Sequence, residues 1–207
     1  MSRPVRRALL ALLLAAAGCK AELLPGQPVP RPTEGAWAEE RERFTRQRKL
    51  YDGLDDVAFA TATYLAPSVR EARAARLAEW EGVSPAEREA RVAAAVRDGA
   101  DVEEFLLAFF TADRRANDLA SKRGTWRIAL VIPEGDGQHE ATPSRVELVR
   151  VDPSLPVLYP YLTDFDQVYR IRFPRAPGAA PLAGRAFTLR IAGALGRIDL
   201  EWGPGAR

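Results

Sequence analysis

The chain has one histidine, His139, and one cysteine, Cys19. Their positions limit the chemistry available. His139 follows the turn-forming run Pro133-Glu-Gly-Asp-Gly137, which predicts a surface hairpin loop rather than a buried catalytic base. There is no Ser-His-Asp elbow, phosphate-cradling Gly-rich loop, Cys/His zinc spacing or paired-histidine motif. Carboxylates are left as candidates. Asp52, Asp55 and Asp56 cluster ahead of an apolar run, and Asp164 and Asp166 flank Phe165. Loop carboxylates can surround Ca²⁺ with oxygens, but this spacing does not match an EF-hand loop. Turns and caps account for Asp at such positions. A carboxylate pair for glycoside hydrolysis is a spatial arrangement, and nothing in the spacing singles one out.

Two segments offer recognition rather than catalysis. In Asp113-Arg-Arg-Ala-Asn-Asp118, Arg114 and Arg115 are donors for an anion or a partner, with Asn117 and Asp118 beside them. The plainer reading is a polar loop whose Asn and Asp bond their own backbone. The segment Leu155-Pro-Val-Leu-Tyr-Pro-Tyr-Leu162 is apolar and aromatic. Its Tyr159 and Tyr161 either cap an open end of the core or form a recognition patch. No metal or cofactor is expected.

The elements that must carry these residues are mostly strands. Trp126, Ile128, Leu130 and Ile132 alternate with polar neighbours, as do Val146 and Leu148. Tyr169-Ile171-Phe173, Phe187-Leu189-Ile191 and Ile198-Leu200-Trp202 repeat the pattern. Arg127, Arg145, Glu147, Arg170, Arg172, Arg190, Arg197, Asp199 and Glu201 occupy the opposite phase, as in antiparallel sheets buried on one face. That Arg-rich phase could meet anionic lipid or glycan, but its interspersed acids favour a solvated face with cross-strand ion pairs.

Candidate strands fall at 57–65, 104–111, 125–132, 145–151, 167–173, 186–192 and 197–202; for the first two a helix is the competing assignment. The expected fold is mainly β, an antiparallel seven-stranded immunoglobulin-like sandwich over 52–203. Residues 36–51 read as an N-terminal helix. Glu39–Arg43 and Glu42–Arg46 are i,i+4 pairs, and Trp37, Phe44 and Tyr51 recur every seven residues. A two-helix insertion is expected at 67–99. Ser68-Val-Arg-Glu71 and Ser84-Pro-Ala-Glu87 fit capping boxes, and Gly82 and Gly99 suit the C-terminal caps.

The start of the chain is an address. Arg3, Arg6 and Arg7 precede an uncharged Ala/Leu stretch at 8–17, which ends at Gly18-Cys19. As a helix that stretch spans roughly 15 Å, half a bilayer core, so it reads as a cleavable signal over 1–18 rather than a membrane span. Residues 19–35 form a tether, and its four prolines favour polyproline II. The whole chain carries 30 basic and 28 acidic residues. Removing the signal and its three arginines leaves 27 against 28. The basic pI of 8.9 therefore says little about nucleic acid. With a single Cys, the chain forms no internal disulfide.

The stretch Leu14-Ala-Ala-Ala-Gly-Cys19 resembles the bacterial lipobox, with Ala16 where Leu is commoner. The resemblance implies cleavage before Cys19, a thioether-linked diacylglycerol on its sulfur and an acylated new N-terminus. Lys20, in place of Asp, implies outer-membrane sorting, with the domain facing the periplasm. The fragments Ala62-Thr-Tyr-Leu-Ala-Pro67, Asn117-Asp-Leu119, Tyr159-Pro-Tyr161, Tyr169-Arg-Ile-Arg-Phe-Pro174 and Ile191-Ala-Gly-Ala-Leu-Gly196 resemble segments of uncharacterised proteobacterial lipoproteins, a likeness that brings no activity. The expected role is a non-enzymatic interaction or assembly module of the envelope. Its partners are the membrane, through the lipid on Cys19, and an envelope protein; no nucleic acid or nucleotide is expected. An envelope hydrolase using loop carboxylates and a carbohydrate-binding sandwich are the alternatives.

Overall fold

Alternating burial along the strands produces two antiparallel sheets that share one core. A computed structural model describes residues 35–204. The signal, Cys19 and most of the tether lie outside the described residues. The chain runs α1 (Gly35–Arg43), β1 (Thr45–Asp52), β2 (Asp55–Tyr64), α2 (Pro67–Glu81), α3 (Pro85–Asp98) and β3 (Val102–Thr111). A 3₁₀ turn (Arg114–Ala116) follows, then β4 (Trp126–Glu134), β5 (Gly137–Ala141), β6 (Arg145–Leu148), α4 (Leu155–Leu158), β7 (Gln167–Pro174), β8 (Phe187–Gly193) and β9 (Gly196–Trp202). One sheet has the order β1-β2-β3-β7-β6 and the other β5-β4-β8-β9.

The expected two-sheet sandwich is present, but it has nine strands among the described residues rather than seven. The helix expected over 36–51 stops at Arg43, and the remainder becomes β1. The sandwich therefore begins at Thr45, not at residue 52. Thr45 pairs with Thr63, and the ladder runs down to Asp52 opposite Asp55. Gly53, at φ 61°, supplies the left-handed turn between the strands. Ladder bonds to the apolar β2 outweigh the helical preference of Arg, Gln and Lys. The Glu42–Arg46 pair does not form. Arg46 instead donates to the carbonyls of Arg43, Thr45 and Glu201, the last on the neighbouring sheet. Trp37 and Phe44 are buried, whereas Tyr51 is half exposed, so only two of the three aromatics dock.

The helical insertion lies where expected, with one cap changed. Ser84 Oγ accepts the Glu87 amide at 3.3 Å, and Gly82 ends α2 at φ 63°. The first capping box is not formed. Pro67 starts α2 one residue early, and Ser68 donates to Glu40 of α1 at 2.8 Å. Gly99 does not adopt the left-handed cap. Its value is space, since a Cβ there would sit 2.6 Å from Arg70 Cζ.

The inter-sheet core is aromatic. Phe187 stacks on Trp202 with centroids 5.0 Å apart, and Phe105 packs between Tyr64, Phe173 and Trp202. Strand β2 contributes Ala58, Ala60 and Ala62 to this core, all fully buried. By the two-residue period, Phe59, Thr61 and Thr63 project from the opposite face. Part of that outer face is covered by α1, α2, α3 and the 155–162 segment.

Candidate functional site

The expected contacts divide between two regions, and most of them hold the fold. Arg114 and Arg115 are exposed on the 3₁₀ turn, which Asp113 caps by accepting the Arg115 amide at 2.9 Å. Asn117 donates to the Phe109 carbonyl at 2.7 Å, and its side-chain oxygen accepts from the Tyr169 hydroxyl at 2.9 Å. Asp118 accepts the Thr125 amide at 2.8 Å. Asn117 and Asp118 are thus spent on local backbone and on β7, as the plainer reading required. Burial pushes the Tyr169 hydroxyl up to about 12.

Tyr159 and Tyr161 part company. The Tyr159 ring is fully buried, packed edge-on against Trp37 at 5.4 Å. Trp37 and Arg41 both donate to the Leu158 carbonyl, which pins the 155–162 segment to α1. This segment caps the outer face of the five-stranded sheet. Tyr161 shares a 2.8 Å hydrogen bond with Thr63 and lines a groove at the uncovered end of that face. Burial raises its hydroxyl above the ordinary tyrosine range.

The groove, about 430 Å³, is lined by Phe59, Phe110, Tyr161 and Phe165, with Thr61 and Asp166 among its polar members. Phe59 and Phe110 are cross-strand partners with ring centroids 5.3 Å apart. Phe165 is 69% exposed at the rim. Lys49 Nζ sits 4.7 Å over the Phe59 ring, and Tyr51 meets the ring's other neighbourhood at 6.3 Å. Tyr51 belongs to the β1–β2 hairpin, where Asp52, Asp55 and Asp56 are exposed. Of the carboxylates singled out in the sequence, Asp166 lines the groove, and the exposed Asp164 adjoins the rim residue Phe165. The Phe59 and Phe110 rings tilt by 31°, so they do not make the coplanar platform a sugar-binding row needs. Asp166 is occupied in accepting the amide and hydroxyl of Thr163 at 2.8 and 2.7 Å.

The chemistry the sequence reading missed lies at the other end of β3, where Glu103 and Glu104 are both buried. They point to opposite faces, as neighbours on a strand must. Glu103 enters the core, accepting from Tyr64 Oη at 2.5 Å, Arg175 Nε at 2.7 Å and the Leu182 amide at 3.3 Å. Glu104 faces the helices and is approached by Arg70 at 3.0 Å, Arg172 at 3.1 Å and Arg170 at 3.2 Å. The available signal was a Glu-Glu pair opening an otherwise apolar strand, with arginines alternating at 170 and 172. His139 lies on β5 rather than in the turn, exposed and paired with Ile132. Among the described residues, no group of three His, Cys, Asp or Glu side chains could hold a metal ion. No helix among them is long and apolar enough to cross a membrane.

The buried tyrosines make an alkaline prediction. Burial, and for Tyr64 the neighbouring Glu103, raises the hydroxyls of Tyr64, Tyr159, Tyr161 and Tyr169. Their contribution is complete below about pH 10, where tyrosine ionises in the unfolded chain, and declines as pH climbs toward Tyr169's value of about 12. Denaturant unfolding should show stability level from pH 7 to 9 and falling from pH 10 upward. A flat profile to pH 12 would contradict it.

No family model matches the chain, and no curated protein does. Among solved structures, a crystal structure of a novel protein of unknown function from Burkholderia pseudomallei is similar to it at a TM-score of 0.39 and 12% identity, covering 81% of this chain and 82% of that one.

Proposed function

We propose that this protein is a lipid-anchored, non-enzymatic interaction module of the bacterial envelope, facing the periplasm, and that its groove receives a partner protein's apolar segment flanked by basic residues. The groove carries this reading. Half-buried aromatic rings on an uncovered sheet face, with Phe165 exposed at the rim, are what interface cores are made of. Asp166 in the lining and Asp164 beside the rim favour lysine or arginine at the flanks of the incoming segment. The lipobox-like start supports the placement at a membrane, and the Pro-rich tether supplies reach of roughly 50 Å from it.

The test uses the full chain in cells with a photo-crosslinking residue at Phe165, and at Arg127 on the other sheet as control. A discrete adduct from Phe165 alone is expected, and Phe110→Asp should reduce crosslinking from Phe165 by about tenfold, since burying an unpaired charge costs more than 1.4 kcal/mol. The purified adduct should also place an apolar segment flanked by Lys or Arg at the crosslink. Equal adducts from both positions, or none from Phe165, would reject the groove as the docking site.

A further inference from the structure

The crevice beneath the helical hairpin is a second site with different chemistry. It measures about 240 Å³ and lies between α2, α3 and the outer face of β3 and β7. Four arginines, Arg70, Arg73, Arg170 and Arg172, line it against two acids, Glu104 and Asp98. The walls therefore carry a surplus of two positive charges. Glu104 absorbs part of this, meeting Arg70, Arg170 and Arg172 with its two oxygens.

The donors exceed what one carboxylate can accept. A guanidinium offers five N–H groups, a carboxylate about four acceptor sites. Arg73 makes none of the ion pairs to Glu104, and its Nε is buried without a hydrogen-bond partner. Arg170 Nε keeps an ion pair to Glu104 at 3.2 Å without a hydrogen bond. Buried polar groups are nearly always satisfied, so the idle Arg73 Nε on the wall of a cationic crevice points to an acceptor supplied by a ligand.

We infer that this crevice binds a phosphate group, as inorganic phosphate or as a phosphomonoester. A dianion matches the surplus charge, and tetrahedral oxygens suit convergent planar forks. A monocarboxylate would leave one charge uncompensated. Leu65, Leu77 and Ala95 form the apolar part of the wall, which can receive the organic remainder of an ester. Gly99 leaves room for the Arg70 side chain, which reaches Glu104 on the sheet. This site is separate from the groove: Glu104 and Phe110 stand six residues apart on β3, roughly 20 Å along the strand.

The experiment is a ³¹P line-broadening titration of the full chain in detergent micelles, with inorganic phosphate at submillimolar concentration, where bulk salt effects are negligible. Saturable broadening is expected. Arg73→Gln should weaken it about tenfold or more, as loss of a charge-assisted bond does, while Arg127→Gln on the other sheet should not. Arg73→Gln leaves the Glu104 ion pairs intact, and near-ultraviolet circular dichroism checks its fold. Should it misfold, Arg170→Gln is read in its place. Micelles doped with phosphatidic acid, or soluble glycerol phosphate, then compete for the bound phosphate. Displacement by the lipid assigns a headgroup as the source, and displacement by glycerol phosphate alone assigns a soluble ester. No saturable broadening in the unaltered chain, or broadening that Arg73→Gln leaves unchanged, overturns the inference.

Discussion

Glu104→Ala is expected to destabilise the fold by about 3 kcal/mol, the lower end of the range for removing one partner from a buried charge cluster. The carboxylate is 3% exposed, and three guanidinium groups depend on it. Removing it leaves Arg70, buried to all but 13% of its side chain, with only the Leu65 carbonyl as acceptor. The lower end applies because the side chains of Arg170 and Arg172 are 36% and 34% exposed, and water recovers part of their charge. For a chain of this size the loss corresponds to a fall in Tm of roughly 6–12 °C. Arg70 comes from α2, whereas Glu104, Arg170 and Arg172 come from the sheet, so hydrogen exchange should rise first in α2 and α3. Glu147→Ala is the control. Its partner Arg145 is 62% exposed, and the change should cost less than about 1 kcal/mol. If the two substitutions cost the same in calorimetry, Glu104 is not what fastens the hairpin to the sheet.

Cys19→Ser is expected to move the protein from the membrane fraction to the aqueous one. Under the proposed anchoring, the sulfur carries a diacylglycerol and the new N-terminus a further chain. Each buried CH₂ contributes about 0.8 kcal/mol, so one chain binds marginally and two or more hold stably. Serine forms no thioether, and no helix among the described residues is long and apolar enough to cross a bilayer. Detergent-phase partitioning should therefore invert between the two proteins, and intact mass should show the acyl chains on the unaltered one alone. An unaltered protein that partitions into water, with a free thiol at Cys19, would remove the anchor and the envelope placement with it. The domain itself should melt at the same temperature in both, because every buried core residue in the described fold lies C-terminal to the tether.

The two substitutions also mark where local sequence stops being informative. The signal pattern at 1–19 is contiguous, so residue order alone displays it. The same holds for β2, β4, β7, β8 and β9, whose alternation records which side chains leave water. The strands that were misread or missed, β1 and β5, are both sheet edges. Thr45-Arg-Gln-Arg-Lys-Leu-Tyr-Asp52 and Gly137-Gln-His-Glu-Ala141 bury little, and they are held by backbone bonds to a neighbour. Backbone bonds leave no mark on residue type, and charged side chains are what exposed edges carry.

Order along the chain determined the mainly β sandwich, the helical hairpin and the role of Asn117 and Asp118 as loop ties. Tertiary structure alone decided the two candidate sites. The groove needs Phe59, Phe110, Tyr161 and Phe165, which lie on three separate segments. The crevice needs Arg73 from a helix and Arg170 from a strand brought over Glu104. Charge complementarity and apolar contact act through space over a few ångströms, so residues about a hundred positions apart can share a site. No spacing rule within one segment encodes that proximity; it follows only once the hairpin has folded down onto the sheet.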